Sequence, residues 1–441
     1  MLWTHQKIKF CGSEWRNGMT AIAKRRLFCT ICAAAIAPGL ASAATITTWD
    51  TANVVVGPAD LPDGETGFSV IYDRDLGGVD PLISGAASNG RIAYSEPEAT
   101  SPGLRVENDA YELGGPAPKD VASGCIMASS DSTCDGPFQS GKRFKQQLTG
   151  IGEVDLVFGV DVTTDPVDQD GVLSVDAPVG YQVYHRLVNL TGQSIESFSI
   201  QLGSGIGDNF VASSAGDGLS FSAAFTSGPE DLNAFSQYPF GLFGDASTNP
   251  NFTIDGFFDT QRTGFDLDMT EDLITSGDMY GSYSDTFGAW MSQEMAPDGL
   301  FWDFDGDPTT DALLLAWQTP DGAWEVRREA TTTCTDPADL TTCSYGTTLD
   351  SYTTFADVAG AADFLGLSLP EGEVETGLIE DLANLNENYA IMVDGTYQKD
   401  RFTVRVSTVA TVAAVPLPAT APLLIAGLGA MGFARRRRRQ S

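Results

Sequence analysis

The chain has 441 residues and a formal net charge of −34, from 25 Lys+Arg against 59 Asp+Glu. The bases gather at the two ends: six lie before Ala44 and five after Val415, so Ala44–Ala414 carries 14 bases against 58 acids, a net of −44. A domain of that sign repels nucleic acid and anionic headgroups, which excludes nucleic-acid binding and leaves solubility and an affinity for divalent cations.

In chain order, Lys24-Arg25-Arg26 precede the apolar LFCTICAAAIA and then Ala41-Ser42-Ala43. A positive patch, a short apolar run and a small-x-small site make a secretory signal peptide over residues 1–43, cut between Ala43 and Ala44. An uncleaved membrane anchor needs about 20 apolar residues and finds too few. Cys29 and Cys32 lack the small residues that precede a lipoprotein cysteine.

The body, 44–414, is rich in Gly, Ser, Thr, Asp and aromatics, a composition of strands and turns. VDLVFGVDV alternates at period two, with Val154, Leu156, Phe158, Val160 and Val162 on one face. YQVYHRLVNL is apolar on both faces, as in a central strand, and contains His185, here a hydrogen-bonded core residue. In ESFSIQL the inward residues are Phe198, Ile200 and Leu202. DALLLAWQT and AWEVRREA form a hairpin across Pro320-Asp321-Gly322. FADVAGAADFLGL (355–367) is a helical stretch, and VETGLIEDLANLNEN places Leu378, Ile379, Leu382 and Leu385 on one helical face. RFTVRVS closes the body with Phe402, Val404 and Val406 inward and Arg401, Thr403 and Arg405 outward. The expected architecture is mainly β: a β-sandwich, Greek-key or jelly-roll-like, with long loops and one or two accessory helices.

Four cysteines remain after the signal. Cys125, Cys134, Cys334 and Cys343 form two local pairs, and in an oxidising compartment the expectation is the disulfides Cys125–Cys134 and Cys334–Cys343. Four cysteines allow three connectivities; zinc is the competing use, but histidine is nearly absent.

Candidate chemistry is sparse. DFDGDPTTD sets Asp303, Asp305, Asp307 and Asp311 at alternate positions from which carboxylates can converge on calcium. Pro308 and Leu314 stand where an EF-hand has Gly and Glu, so the alternatives are an irregular calcium loop and a solvated turn. Asp165, Asp168, Asp170 and Asp176 make a second acidic stretch that turn chemistry explains. Phe235, Tyr238, Phe240, Phe243, Phe252, Phe257, Phe258 and Phe265 could stack on sugar rings, though in a Gly-rich β-protein such residues more often fill the core. Lys142, Arg143 and Lys145 are a basic cluster that either contacts an anionic polysaccharide or pairs internally. No Gly-x-Ser-x-Gly elbow, phosphate loop or redox CxxC is present in the body.

Two resemblances follow. The segments GPFQSGKRFKQQLTG, YQVYHRLVNLTG, LGSGIGDNF, PFGLFGD, GFFDTQRTGF and DGDPTTDALLLAW resemble the exported choice-of-anchor F family, whose members share an ectodomain and differ in their anchoring tails. That resemblance implies no catalytic residues. The tail joins Val415-Pro416-Leu417-Pro418-Ala419, 15 uncharged residues from Thr420 to Ala434, and Arg435, Arg436, Arg437, Arg438 and Arg439. As a helix the uncharged run measures about 22 Å, short for a bilayer core of about 30 Å, with the arginines held on the cytoplasmic side. Residues 415–441 resemble the VPLPA type of PEP-CTERM sorting signal, which implies transient membrane insertion and handling by an exosortase-like protease.

The expected protein is a non-enzymatic, exported cell-surface or matrix protein. Its implied partners are the export machinery, that protease and possible extracellular polysaccharide, with calcium the one candidate cofactor. The alternatives are a calcium-dependent glycan-binding module and, further off, a secreted glycoside hydrolase, which needs only two suitably spaced carboxylates.

Overall fold

A computed structural model describes residues 44–411 except 63–64, 96–100, 108–124, 127–142, 162–178, 223–233, 238–241, 245–253, 307–311, 340–341 and 368–373. The first strands are β1 (Thr45–Asp50), β2 (Val54–Val55) and β3 (Thr66–Ile71), followed by the short helix α1 (Pro81–Ser84). Next come β4 (Gly90–Ser95), β5 (Leu104–Glu107), β6 (Cys125–Ile126), β7 (Arg143–Leu148), β8 (Glu153–Asp161), β9 (Val179–Asn189) and β10 (Ile195–Ser204). The middle of the chain gives β11 (Val211–Ala212), β12 (Leu219–Ser222), β13 (Ala234–Gln237), β14 (Gly264–Met269), β15 (Leu273–Tyr280) and α2 (Tyr283–Phe287). The rest is β16 (Asp298–Trp302), β17 (Leu313–Gln318), β18 (Trp324–Cys334), β19 (Cys343–Phe355), α3 (Val358–Leu365), β20 (Val374–Leu378), β21 (Asn384–Val393) and β22 (Arg401–Ala410).

The strands build a β-sandwich. One layer runs β2–β3–β4–β7–β9–β21, with β5 sharing an edge of β9 and β12 and β13 sharing the far edge of β21. The other runs β1–β8–β22–β10–β15–β14, and β13 pairs with β14 to join the layers. The chain passes from β7 to β8 in the opposite layer and back to β9. That return sets β7 and β9 side by side in parallel, while the other pairings are antiparallel.

Period-two patterning fills the space between the layers. Phe144 of β7 stacks on Phe158 of β8 at 5.7 Å, and Phe158 on Phe402 of β22 at 5.3 Å, all three fully buried. Removing one such ring to Ala typically costs about 3–5 kcal/mol through lost transfer energy and the cavity left behind. The Ile46 N–H of β1 donates to the Tyr181 hydroxyl of β9 at 2.8 Å, a polar tie across the same interior.

A second, five-stranded antiparallel sheet, β19–β18–β17–β16–β20, comes from the last third of the chain. The expected hairpin is there: Gln318 pairs with Trp324, and the Thr319 N–H donates to the Ala323 carbonyl around Gly322 at φ 86°. β17 is buried on both faces. Ala316 lies under α3, whereas Leu314 and Trp317 join the main core, where Trp317 meets Phe258 edge-on at 5.2 Å. Cys334 and Cys343 face each other at the end of β18–β19 and form the expected disulfide. Cys134 lies outside the described residues, as does Val162, and of Cys125 only the backbone, in β6, is described.

Of the two expected helices, 355–367 forms as α3, capped by the Asp357 carboxylate on the Gly360 N–H and ended by left-handed Gly366. The helix expected over 374–388 does not form: β20 pairs with β16, a 3₁₀ turn covers Glu380–Ala383, and β21 begins at Asn384. Its apolar spacing is met by three pieces. Ile379, Leu382 and Leu385 are buried while Leu378 is exposed, because strand partners on both sides override a short amphipathic pattern.

β22 corrects a second expectation. Phe402, Val404 and Val406 point inward as expected, but Thr403 is fully buried and the Arg405 side chain is only 13% exposed. The loop after β10 lies over them. Arg405 donates from Nε and Nη2 to both carboxylate oxygens of Asp155 on β8, at 2.7 and 2.8 Å. Asp155 also accepts from the Gly207 N–H at 2.7 Å, and Arg405 donates to the Gly207 carbonyl at 2.8 Å. Gly207 sits at φ 56°, where a Cβ would stand 2.0 Å from the Asp73 carbonyl oxygen.

Replacing Asp155 by Ala strands the Arg405 charge beneath that loop. The expected loss is about 3 kcal/mol or more, visible as a lower urea midpoint; a change under about 1 kcal/mol would refute the importance assigned to the pair.

Candidate functional site

Among the described residues, most of those singled out by sequence fall into structural roles. Asp303 and Asp305 lie in the loop after β16, where the Asp303 carboxylate accepts from the Gly306 N–H at 2.8 Å and closes a tight turn at Gly306, φ 68°. Asp307 and Asp311 lie outside the described residues, as do Asp165, Asp168, Asp170 and Asp176. Among the described residues no three His, Cys, Asp or Glu side chains converge as metal ligands. Phe243, Phe257 and Phe265 are buried and Phe258 packs against them, so these rings fill the core. Tyr238, Phe240 and Phe252 lie outside the described residues, and only the backbone of Phe235 is described.

His185 is fully buried in β9, as expected. Its Nε2 donates to the Gln146 amide oxygen at 3.0 Å and its Nδ1 accepts from the Tyr389 hydroxyl at 3.1 Å. Burial pushes the imidazole down to about 3. Burial, and then the Glu387 carboxylate, hold the Tyr389 hydroxyl well above its usual range. Glu387 stands directly opposite His185 in the β9–β21 register and is itself buried. This inward polar group is sealed in the core.

The outward face of the same layer is different. Strand alternation that sends Phe144, Gln146 and Leu148 inward turns Lys145 and Gln147 outward; on β9 it turns Arg186 outward, and on β21 Asn386 and Asn388. Arg91 of β4 joins them, donating to the Gln147 amide oxygen at 2.6 Å and lying 3.7 Å over the Phe68 ring. Arg105 and Arg143 take register positions opposite Gln182 and Tyr184, on this same face. Arg91, Lys145 and Arg186 thus face outward from β4, β7 and β9; no outward position of β4, β7, β9 or β21 holds an acid, while the β5 register sets Glu107 opposite Gly180 on the same side. Lys142, the remaining member of the sequence cluster, lies outside the described residues.

At the centre of this face Lys145 and Arg186 are direct cross-strand partners, and Arg186 is in turn opposite Asn386. Like charges directly opposed destabilise a sheet. The Arg186 Nε and Asn386 Nδ2 are buried donors with no acceptor among the described residues, each a cost of about 1–3 kcal/mol. One counter-charge to Arg186 is Asp381, from the 3₁₀ turn before β21: its Oδ1 accepts from Asn384 Nδ2 at 2.6 Å and lies 3.9 Å from Arg186 Nη2. Beside these groups is a depression of about 260 Å³, floored by Ala93 and Val188 and walled by Lys145, Gln147, Arg186, Asn384, Glu380 and Asp381. Its lining brings two cations, Lys145 and Arg186, together with two carboxylates, Glu380 and Asp381.

The sequence pointed to Lys145 but not to Arg186 or Asn386. The signal was present in Asn384, Asn386 and Asn388, three amides at period two, and was hidden by assigning 374–388 to a helix.

Residues 414–439 match the PEP-CTERM protein-sorting motif. No curated protein and no solved structure matches the chain. The motif implies an exported protein that an exosortase-like membrane protein recognises, anchored transiently in the membrane before surface release. Among the described residues no helix is long and apolar enough to cross a membrane.

Two outcomes are expected. Because the folded-state His185 binds its proton less well than the unfolded one, the unfolded chain holds more protons between about pH 3 and 6.5. Stability due to this residue is therefore complete above about pH 6.5 and falls, by up to roughly 1.4 kcal/mol per pH unit, as pH drops through that window. Urea titrations of wild type and His185→Gln at stepped pH should show a shallower acid slope in the variant, and equal slopes would contradict the assignment. For the Asp303 loop, differential scanning calorimetry is expected to give the same midpoint with EGTA as with calcium. A calcium-dependent rise abolished by Asp303→Asn and Asp305→Asn would instead place the metal there.

Proposed function

We propose that the chain is a non-enzymatic, exported surface protein whose body acts by binding and whose ends are removed during delivery. The observation that carries this is the PEP-CTERM match at 414–439. With it go the signal pattern before Ala44 and the net charge of −44 that keeps the body off anionic membranes and nucleic acid. The tail is of the VPLPA type, Val415 to Ala419, and the body over 44–414 is an ectodomain of the choice-of-anchor F kind. Two features support a binding role over a catalytic one. The body's histidine is locked in the core with both ring nitrogens engaged. The outward face of β4–β7–β9–β21 presents cationic and amide side chains, Arg91, Lys145, Arg186 and Gln147 among them, of a kind suited to holding a ligand.

Intact-mass spectrometry of protein recovered from the native cell surface and medium tests the proposal. The expected species runs from Ala44 to about Val415, with the mass reduced by two protons for each disulfide. Additional mass at that C-terminus would identify a transferred anchor. A species running on to Ser441 and confined to the membrane fraction would refute sorting in favour of an ordinary anchor.

A further inference from the structure

We infer that residues 79–83, in the loop between β3 and β4, form a lipid-contacting hook: Leu82 and Ile83 enter the bilayer interface while the C-terminal tail holds the body at the membrane. The contact presupposes the tail insertion that the PEP-CTERM motif implies, and adds a second hold to it. Leu82 is 92% exposed and Ile83 80%, the two most exposed large apolar residues among those described. They are neighbours on α1, which buries no residue of its own, and the exposed Val79 precedes them. The loop is nonetheless fixed in shape. The Asp80 carboxylate accepts from the Leu82 N–H at 2.9 Å, the Ile83 and Ser84 N–H groups donate to the Asp80 carbonyl, and left-handed Gly85 ends the turn. An apolar tip held in place this way has little conformational freedom left to lose on burial, and an exposed apolar patch marks a contact surface.

Its place in the fold says what covers it. The carbonyl of Asn89, at the foot of the loop, accepts from the N–H groups of Thr149 and Gly150 in the β7–β8 turn. Gly152 of that turn exchanges hydrogen bonds with Thr408 near the end of β22, and the Thr411 N–H donates to the Ser194 carbonyl. The hook and the point from which the chain departs for its tail therefore share one end of the sandwich. Val409 and Met295, each just over half exposed, border that exit, with Met295 beside Ser194. Only eight residues, Val412–Ala419, separate Thr411 from the uncharged run, at most about 28 Å of extended chain. β22 alone is about 33 Å long, so the tether keeps this end at the bilayer and the 394–400 loop, at the other end of β22, away from it.

The charge of the body limits the contact and selects its partner. A second copy seated here would set the Asp75 and Asp80 carboxylates of two strongly acidic bodies against each other. The same acid resists an anionic headgroup layer, so two aliphatic side chains add to a tether that already supplies a high local concentration and do not replace it. Cutting the tail then frees the body, as surface release requires.

Photo-crosslinking of the full chain, reconstituted through its tail into phosphatidylcholine vesicles, tests this. p-Benzoylphenylalanine replaces Ile83 in one sample and Gln398, exposed in the far loop, in another. After irradiation, mass spectrometry is expected to find a phospholipid adduct at position 83 and none at position 398. Adding Leu82→Asp is expected to lower the adduct at 83 at least about tenfold, because a carboxylate is costly to bring into hydrocarbon. All three positions are exposed, so the changes leave the core intact. No lipid adduct at 83, or equal adducts at 83 and 398, overturns the inference. A cross-link from 83 to a second chain in its place overturns the lipid contact and assigns the patch to self-association. Resistance to carbonate extraction reads tail insertion separately. An inserted chain without the adduct refutes the hook alone, whereas a chain washed off the vesicles refutes the membrane stage of sorting and the hook with it.

Discussion

The pairing of β22 with β8 and β10 is the constraint on which the rest of the sandwich depends, and the Asp155–Arg405 contact is its fixed point. β22 lies some 250 residues from β8 in sequence, so its docking joins distant parts of the body at a cost in loop-closure entropy. Two strands of alternating apolar residues could pair in several registers, and a slip of one residue would turn Phe402, Val404 and Val406 out of the core. A two-point guanidinium–carboxylate contact beneath the 205–210 loop accepts one register only. The same carboxylate orders Gly207, while Asn53 donates to the Asp155 carbonyl and to the Tyr72 carbonyl, so one residue of β8 organises the ends of three distant segments.

Once β8 and β22 are set, β7 and β9 have no choice but to lie together in the facing layer. The chain crosses the sandwich between them, and Phe144 and His185 must find the interior against Phe158. Burying that interior forces every alternate residue of β7, β9 and β21 onto the opposite side of the sheet. The juxtaposition of Lys145, Arg186 and Asn386 is thus a consequence of packing the core, and the buried Arg186 Nε and Asn386 Nδ2 are tolerated because the register cannot slip away from them. A local cost held in place by a rigid sheet is the usual condition of a binding site.

The charge distribution links this face to the protein's setting. An excess of acid over most of the surface keeps an exported protein soluble and repels other copies and anionic lipid. On this layer bases and acids stand side by side, with Lys145 and Arg186 next to Glu380 and Asp381. The Cys334–Cys343 disulfide fits the oxidising compartment that the signal pattern and the sorting motif imply.

Much of this was legible in the chain. The tail motif, the signal pattern and the local cysteine pair are short, contiguous features whose chemistry does not depend on folding. The strands around Phe158, Phe198 and Phe402, the turn at Gly322 and the helical stretch that becomes α3 follow from spacing and from single-residue preferences, and the structure agrees with each. The failures share one cause. Residues 374–388 carry a helical apolar spacing, yet β16 and β9 offered them backbone partners from far away. Arg405 alternates outward as its strand predicts, yet a remote loop covers it. Whether an outward residue meets water, a loop or a ligand is decided by what the rest of the chain brings over it, and local sequence has no term for that. The sequence by itself determined the address, the β-rich class and the inward face of most strands, since these depend on residue type and near-neighbour spacing. Only the tertiary structure decided which strands lie side by side, and so which two cations and which amide share one face, because register and neighbour order are settled by burial across the whole sandwich.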